Sequence, residues 1–139
     1  MKVRTAKIKD LKKCASLSKI PELRLAYTTK GYPNINYLKE FLGYLFIVAE
    51  NEQGNILGYL IGEKEKAGVV CLNILVVDIK HHNEGIGNLL LKEFLKRAKK
   101  LGLKNIYFVA PNWNKKTLEF YRKNGFTEMK YYSYFTSEI

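Results

Sequence analysis

The sequence predicts an α+β domain built on a mixed, mostly antiparallel sheet, and two stretches carry that prediction. Over residues 45–77, three apolar runs are separated only by turn residues at 51–55 and 64–68, the pattern of an antiparallel meander. Over 71–102, a buried strand passes through a glycine loop into a long amphipathic helix, and another apolar run follows at 105–110. A helical crossover of that length makes its two flanking strands parallel, so the sheet has to be mixed.

Taken in order, residues 2–9 alternate Val3, Ala6 and Ile8 with charges and predict a first strand. Asp10 reads as an N-cap before Leu11, Cys14, Ala15 and Leu17, a short helix. Residues 20–37 combine Pro21, Gly31 and Pro33 with Tyr27, Tyr32 and Tyr37, a loop and a broken helix. Asn34 or Asn36 can cap a second helix through Leu38, Phe41 and Leu42. The strands at 45–50 and 56–63 form a hairpin, and 71–77 is the central strand. In the long helix Ile86, Leu89, Leu90, Phe94, Leu95, Ala98 and Leu101 recur on one face, with Lys92, Lys96, Lys99 and Lys100 on the other, and Gly102 stops it. Asn114 can cap a helix carrying Leu118, Phe120 and Tyr121 that ends at Asn124-Gly125. The aromatic stretch 126–135 predicts a final strand or short hairpin. The expected order is β-α-α-β-β-β-α-β-α-β in one domain spanning 1–139.

Composition narrows the class. With 47% hydrophobic and 13% aromatic residues the chain can fill a core, and no run approaches the roughly 18–20 apolar residues of a membrane span. The charged, alternating start predicts no secretory signal peptide, and Cys14 and Cys71 read as reduced core thiols, so a cytoplasmic location is expected. The 24 basic residues against 13 acidic ones favour anionic ligands or partners, although lysines on a solvated helix face account for part of the excess. Aromatics at 27–37 and 131–135 read as packing residues or as a base-stacking surface, and the absence of any RNA-recognition signature disfavours nucleic acid. No cluster of cysteine, histidine or carboxylate has ligand spacing, so no metal is expected.

The glycine loop carries the first chemical prediction. Four N–H groups at the start of a helix lack intrahelical partners, and the helix dipole makes that end positive. Gly85 and Gly87 leave out the β-carbons that would hold an anion away, so the expected ligand is a phosphate group, most readily a pyrophosphate. Leu90 stands where a dinucleotide fingerprint needs a small residue, and no Gly-Lys-Ser/Thr triplet of a P-loop occurs.

Two motifs then meet. His82-Asn83-Glu84-Gly85-Ile86-Gly87 follows the pattern Gln/Arg-x-x-Gly-x-Gly/Ala, and residues 114–126 follow Asn-x-x-Ala-x-x-Phe-Tyr-x-x-x-Gly-Phe, with Thr117 in place of Ala. With these at their separation, and with its element order, the chain resembles the GNAT superfamily of acetyl-CoA-dependent N-acyltransferases. The spacing of the second motif is nearest to the N-terminal peptide acetyltransferases. The resemblance implies a three-layer domain whose central parallel strands splay apart around acetyl-CoA. By position it implies that backbone groups of Leu75, Val76 and Val77 hold the pantetheine and polarise the thioester. The pyrophosphate falls to His82, Asn83, Glu84, Gly85, Ile86, Gly87 and Asn88, of which His82 replaces the family's Arg or Gln, and Asn114 falls to the cofactor arm. Tyr121 becomes the acid that protonates the departing thiolate, a role suited to a neutral phenol.

The implied function is acetyl transfer to a primary amine, a peptide or protein amine before a small one. The rival is a non-catalytic acyl-CoA sensor. Val109 stands where peptide acetyltransferases often carry a strand Glu, and Asp78, Glu63, His81 or a water chain could serve as base. By the same analogy a homodimer through an edge strand is allowed.

Overall fold

A computed structural model describes residues 1–24, 31–137 and 139; Tyr27, counted above among the loop aromatics, lies outside them. Its single sheet has the order β1 (Lys2–Thr5), β2 (Leu45–Glu50), β3 (Ile56–Lys64), β4 (Val69–Val77) and β5 (Asn105–Tyr107). All neighbours are antiparallel except β4 and β5, which run parallel across the crossover helix. The helices are α1 (Leu11–Leu17), α2 (Ile35–Lys39), α3 (Ile86–Lys100) and α4 (Lys115–Lys123).

Alternation along the strands makes two cores. Leu11 and Cys14 of α1 and Leu38 of α2 pack on Phe46, Val48, Tyr59, Ile61, Ile74 and Val76. On the other face Ile86, Leu90, Leu91, Phe94 and Ala98 of α3 pack on Ile47, Ala49, Leu60, Val70 and Leu72. Each large side chain so buried contributes roughly 1.5–3 kcal/mol. Two glycines of β3 let α3 come this close. A β-carbon on Gly62 would lie 2.2 Å from the Phe94 ring, and one on Gly58 would lie 3.2 Å from Leu90 and 3.3 Å from Ile86.

The decisive irregularity is in β4. Ile61 pairs with Ile74 but Gly62 pairs with Leu72, so Asn73 is an extra, bulged residue. Its insertion reverses the side-chain alternation: Val70 and Leu72 face α3, whereas Ile74 and Val76 face α1 and α2. Pairing with β5 covers only Val69, Val70 and Cys71 and ends where the bulge bends the strand away. From Leu72 onward β4 has no neighbour on that side among the described residues. Thus the central parallel strands do splay, as the resemblance implied.

Five expectations need correction, the first on α3, where Leu91 joins the buried face and Leu89, Leu95 and Leu101, expected on it, are exposed at its margins. Asp10 does not cap α1, because a 3₁₀ turn at Ile8–Asp10 puts it at helical angles and Arg4 and the Lys7 N–H take its carboxylate. The first strand stops at Thr5, where that turn approaches. β5 ends at Tyr107 instead of Ala110, since the splay leaves Phe108 onward no ladder to join. Residues 126–137 form turns and coil with no strand, and no described residue there pairs with the free side of β5. Other expectations hold: Asn34 and Asn114 cap α2 and α4, and α4 ends at Asn124. Both cysteines are free, Cys14 buried and Cys71 half-buried.

Candidate functional site: the splayed strands and the start of α3

The bulge leaves one side of β4 without a partner, and the register says which groups it bares. Asp78 N–H donates to the Leu57 carbonyl at 2.8 Å, which fixes the phase of the antiparallel ladder. Backbone groups alternate between the two sides, so those of Val76 turn to Tyr59 of β3 and those of Leu75 and Val77 turn into the splay. His82 agrees with that phase, because its Nε2 meets the Val77 carbonyl at 3.1 Å. Three residues expected to act alike therefore divide into two on the cleft and one in the ladder.

Beyond Val77 the chain turns through Asp78, whose carboxylate accepts Lys80 N–H at 3.0 Å, and enters α3 at Gly85. Asn83 (φ 67°) and Gly85 (φ 79°) both adopt left-handed backbone, which asparagine tolerates and glycine favours. The N–H groups of Asn83, Glu84 and Gly85 meet no protein acceptor among the described residues, and Leu89 makes the first helical bond, to Gly85. Ile86 is buried beneath, while Asn88 is exposed and accepts Asn124 Nδ2 at 3.1 Å. The result is a run of unpaired donors at the positive end of a fifteen-residue helix, the environment that holds phosphate.

The two glycines differ in role. A β-carbon at Gly85 would meet open space, whereas one at Gly87 would come within 3.3 Å of Phe120 and 3.8 Å of Val77. Gly87 lets α4 close on the end of β4, and Gly85 keeps the entrance clear.

α4 forms the other wall. Asn114 Oδ1 accepts Thr117 N–H at 3.2 Å as the cap, and its Nδ2 donates to Glu22 at 3.0 Å. Tyr121, two turns along, packs its ring on Phe108 (4.4 Å between centroids), Phe120 (5.2 Å) and Phe126 (5.9 Å). Burial pushes its phenol up to about 12. The hydroxyl has no hydrogen-bond partner among the described residues, and no enclosed side-chain oxygen lacks one, so it opens onto accessible space.

The candidate bases fare unequally. Glu63 accepts Asn73 Nδ2 at 3.3 Å, Asp78 holds its turn, and His81 pairs with Glu84 at 2.9 Å. Val109 is half exposed at the end of the β5 segment. Glu22, whose place beside α4 comes from a contact 92 residues away, is the carboxylate brought to the cleft wall. No local sequence pattern marks it. No group of three metal-ligating side chains occurs among the described residues.

The residues thus build an α+β domain whose mixed sheet opens at a bulge, with the start of a long helix facing the opening. The family model for the acetyltransferase (GNAT) domain matches residues 43–128, and the chain belongs to that family. Among solved structures it resembles Ard1 from Thermoplasma volcanium, with TM-score 0.79 and 22% identity over 95% of this chain and 88% of that one. The PaiA N-acetyltransferase from Thermoplasma acidophilum, solved in complex with coenzyme A, has TM-score 0.77 and 20% identity over 91% and 89%. Chaetomium thermophilum Naa20, solved with a bisubstrate analogue, has TM-score 0.72 and 21% identity over 90% and 70%. No curated protein matches the sequence.

Proposed function

We propose that the protein transfers an acetyl group from acetyl-CoA to a primary amine, with peptide or protein amines as the favoured acceptors. The observation that carries this reading is the opened β4 edge, with Leu75 and Val77 facing a cleft that ends at unpaired donors of α3. The extended backbone would hold the pantetheine arm by strand-like hydrogen bonds, and the N–H groups of 83–88 would take the pyrophosphate. Asn114 keeps one amide hydrogen beyond the one given to Glu22 and offers it to the arm.

In this reading the amine nitrogen attacks the thioester carbon, the carbonyl oxygen gains charge, and the carbon–sulfur bond then breaks. Backbone N–H groups of β4 stabilise that oxyanion in a site sheltered from water. Tyr121 gives its proton to sulfur and the amine's proton leaves through Glu22 or water. A phenol kept neutral by burial holds that proton over the whole physiological range, and the same dry surroundings raise the thiolate's appetite for it.

The test is calorimetric titration of acetyl-CoA into wild type, Gly85→Asp and Gly85→Asn. Asn and Asp both accept left-handed backbone, and the site is open, so the two variants differ only in charge at the entrance. Binding at micromolar levels that weakens about tenfold or more in Gly85→Asp, with Gly85→Asn near wild type, is the expected result. Equal binding by both variants would remove the phosphate reading. A sensor without catalysis would pass this test and be exposed by the absence of turnover in the wild-type steady-state assay below.

A further inference from the structure

At the end of β4 farthest from the cleft, the fold gathers lysines that the sequence keeps apart. Lys64 ends β3 and Lys66 lies in the β3–β4 turn, Lys99 and Lys100 close α3, and Lys104 leads into β5; all five are exposed. The two turns are joined by bonds from Lys104 N–H and Asn105 N–H to the Gly68 carbonyl, at 2.7 and 3.2 Å. None of the five has an ion pair among the described residues. Two acids stand in the same region, Glu63 accepting from Asn73 Nδ2 and Glu65 from the Tyr107 hydroxyl, so five lysines face two carboxylates and the pole stays positive. The bond to Glu65 holds the half-exposed Tyr107 ring beside the lysine turn.

The C-terminal dipole of α3 accounts for Lys99 and Lys100, as cations there are favourable. It does not account for Lys64, Lys66 and Lys104, which stand at a strand end and on turns outside the helix. A dense unpaired positive surface with an exposed aromatic ring beside it combines charge for a phosphodiester backbone with a face for a base.

We propose that this pole is a docking surface for single-stranded nucleic acid. Its lysines stand at the start of β4 and Leu75 lies six residues along that strand, roughly 20 Å at the usual strand rise, with Tyr107 between them beside Cys71, so both could be occupied at once. The sequence argument against nucleic acid rested on the lack of a recognition motif, and contacts of charge and stacking need none.

The experiment is fluorescence anisotropy with a labelled oligouridylate and the matching oligodeoxythymidylate, at several salt concentrations. Wild type is expected to bind at low salt. Lys64→Ala/Lys66→Ala/Lys104→Ala should bind at least about tenfold more weakly and lose about 2 from the log–log salt slope. A control, Lys12→Ala/Lys13→Ala/Lys39→Ala, removes the same charge elsewhere and should shift binding less than about twofold. Tyr107→Ala should weaken binding about tenfold, and Tyr107→Phe much less. Retained acetyl-CoA binding and an unchanged melting transition verify each fold. No binding by wild type, equal losses in the two triple variants, full binding by Tyr107→Ala, or equal affinity for polyglutamate would each overturn the proposal. Relative affinity for the two oligonucleotides tells whether the strand is RNA or DNA.

Discussion

Tyr121 concentrates the chemistry that a single residue can test. Its ring is wedged among Phe108, Phe120 and Phe126, so Tyr121→Phe keeps the packing and removes only the hydroxyl. We expect kcat to fall about 10²–10⁴-fold, the usual contribution of a positioned acid, with acetyl-CoA affinity unchanged. Because the phenol is pushed up to about 12, wild-type kcat should show no falling limb from Tyr121 between about pH 6 and 9. Glu22→Gln should also lower kcat in the same steady-state assay, since it removes a proton acceptor, while leaving acetyl-CoA binding intact. A Tyr121→Phe protein as fast as wild type would sink the acid role, and a wild type that binds acetyl-CoA yet turns over no peptide amine would leave the sensor reading standing. The contrast between these residues also explains what was legible. Tyr121, Asn114 and the glycines stand in local motifs whose spacing a sequence displays. Glu22 does not, since its position depends on one long-range hydrogen bond to α4. The division of Leu75 and Val77 from Val76 depends on hydrogen-bond phase, which the pattern of apolar residues does not encode.

At the scale of elements, β3 and α3 form the rigid platform on which the entrance to the cleft is built. Gly62 has ordinary strand angles yet no room for a side chain, because the fully buried Phe94 occupies it. Gly62→Ala should destabilise the protein by about 1–3 kcal/mol, the range for overpacking a core. Combining it with Phe94→Leu should recover part of the loss, and a double-mutant cycle from urea unfolding would measure that coupling. Strictly additive costs would mean that α3 and β3 do not meet as described. Sequence patterning found these elements well because each is long and strongly periodic. It extended β5 by three residues and gave 126–135 a strand for the same reason: apolar and aromatic composition records a strand's suitability, while an actual strand also needs ladder pairing that composition does not report. The Asn73 bulge was hidden too, although once the register is known it explains the whole opening.

Across the whole molecule, the edge of the sheet opposite the cleft is held by one charged network. Arg4 of β1 grips Asp10 with both terminal nitrogens, at 2.8 and 2.9 Å, and reaches Glu50 of β2 with Nε at 2.8 Å. It thereby joins two strands to the turn that leads into α1. Burial acts to raise the Asp10 carboxyl, but the Arg4 and Lys7 hydrogen bonds with the nearby positive charge outweigh it, and the group lies below its ordinary value. A carboxyl depressed in the folded state adds stability that is complete above its unfolded value, near 3.8, and that is lost as pH falls through the folded one. Asp10→Asn removes that contribution and leaves Arg4 with half its fork unmatched, at a cost of about 2 kcal/mol near neutral pH. The gap in melting temperature between wild type and variant should stay constant above about pH 5 and narrow progressively below about pH 4. A gap that persists undiminished in acid would mean that packing of the residue, and not its charge, holds this edge. Either way the transfer site should be insulated from the change, since the cleft lies across β2, β3 and β4 from Asp10. Acetyl-CoA affinity measured at neutral pH should therefore match wild type while thermal stability does not.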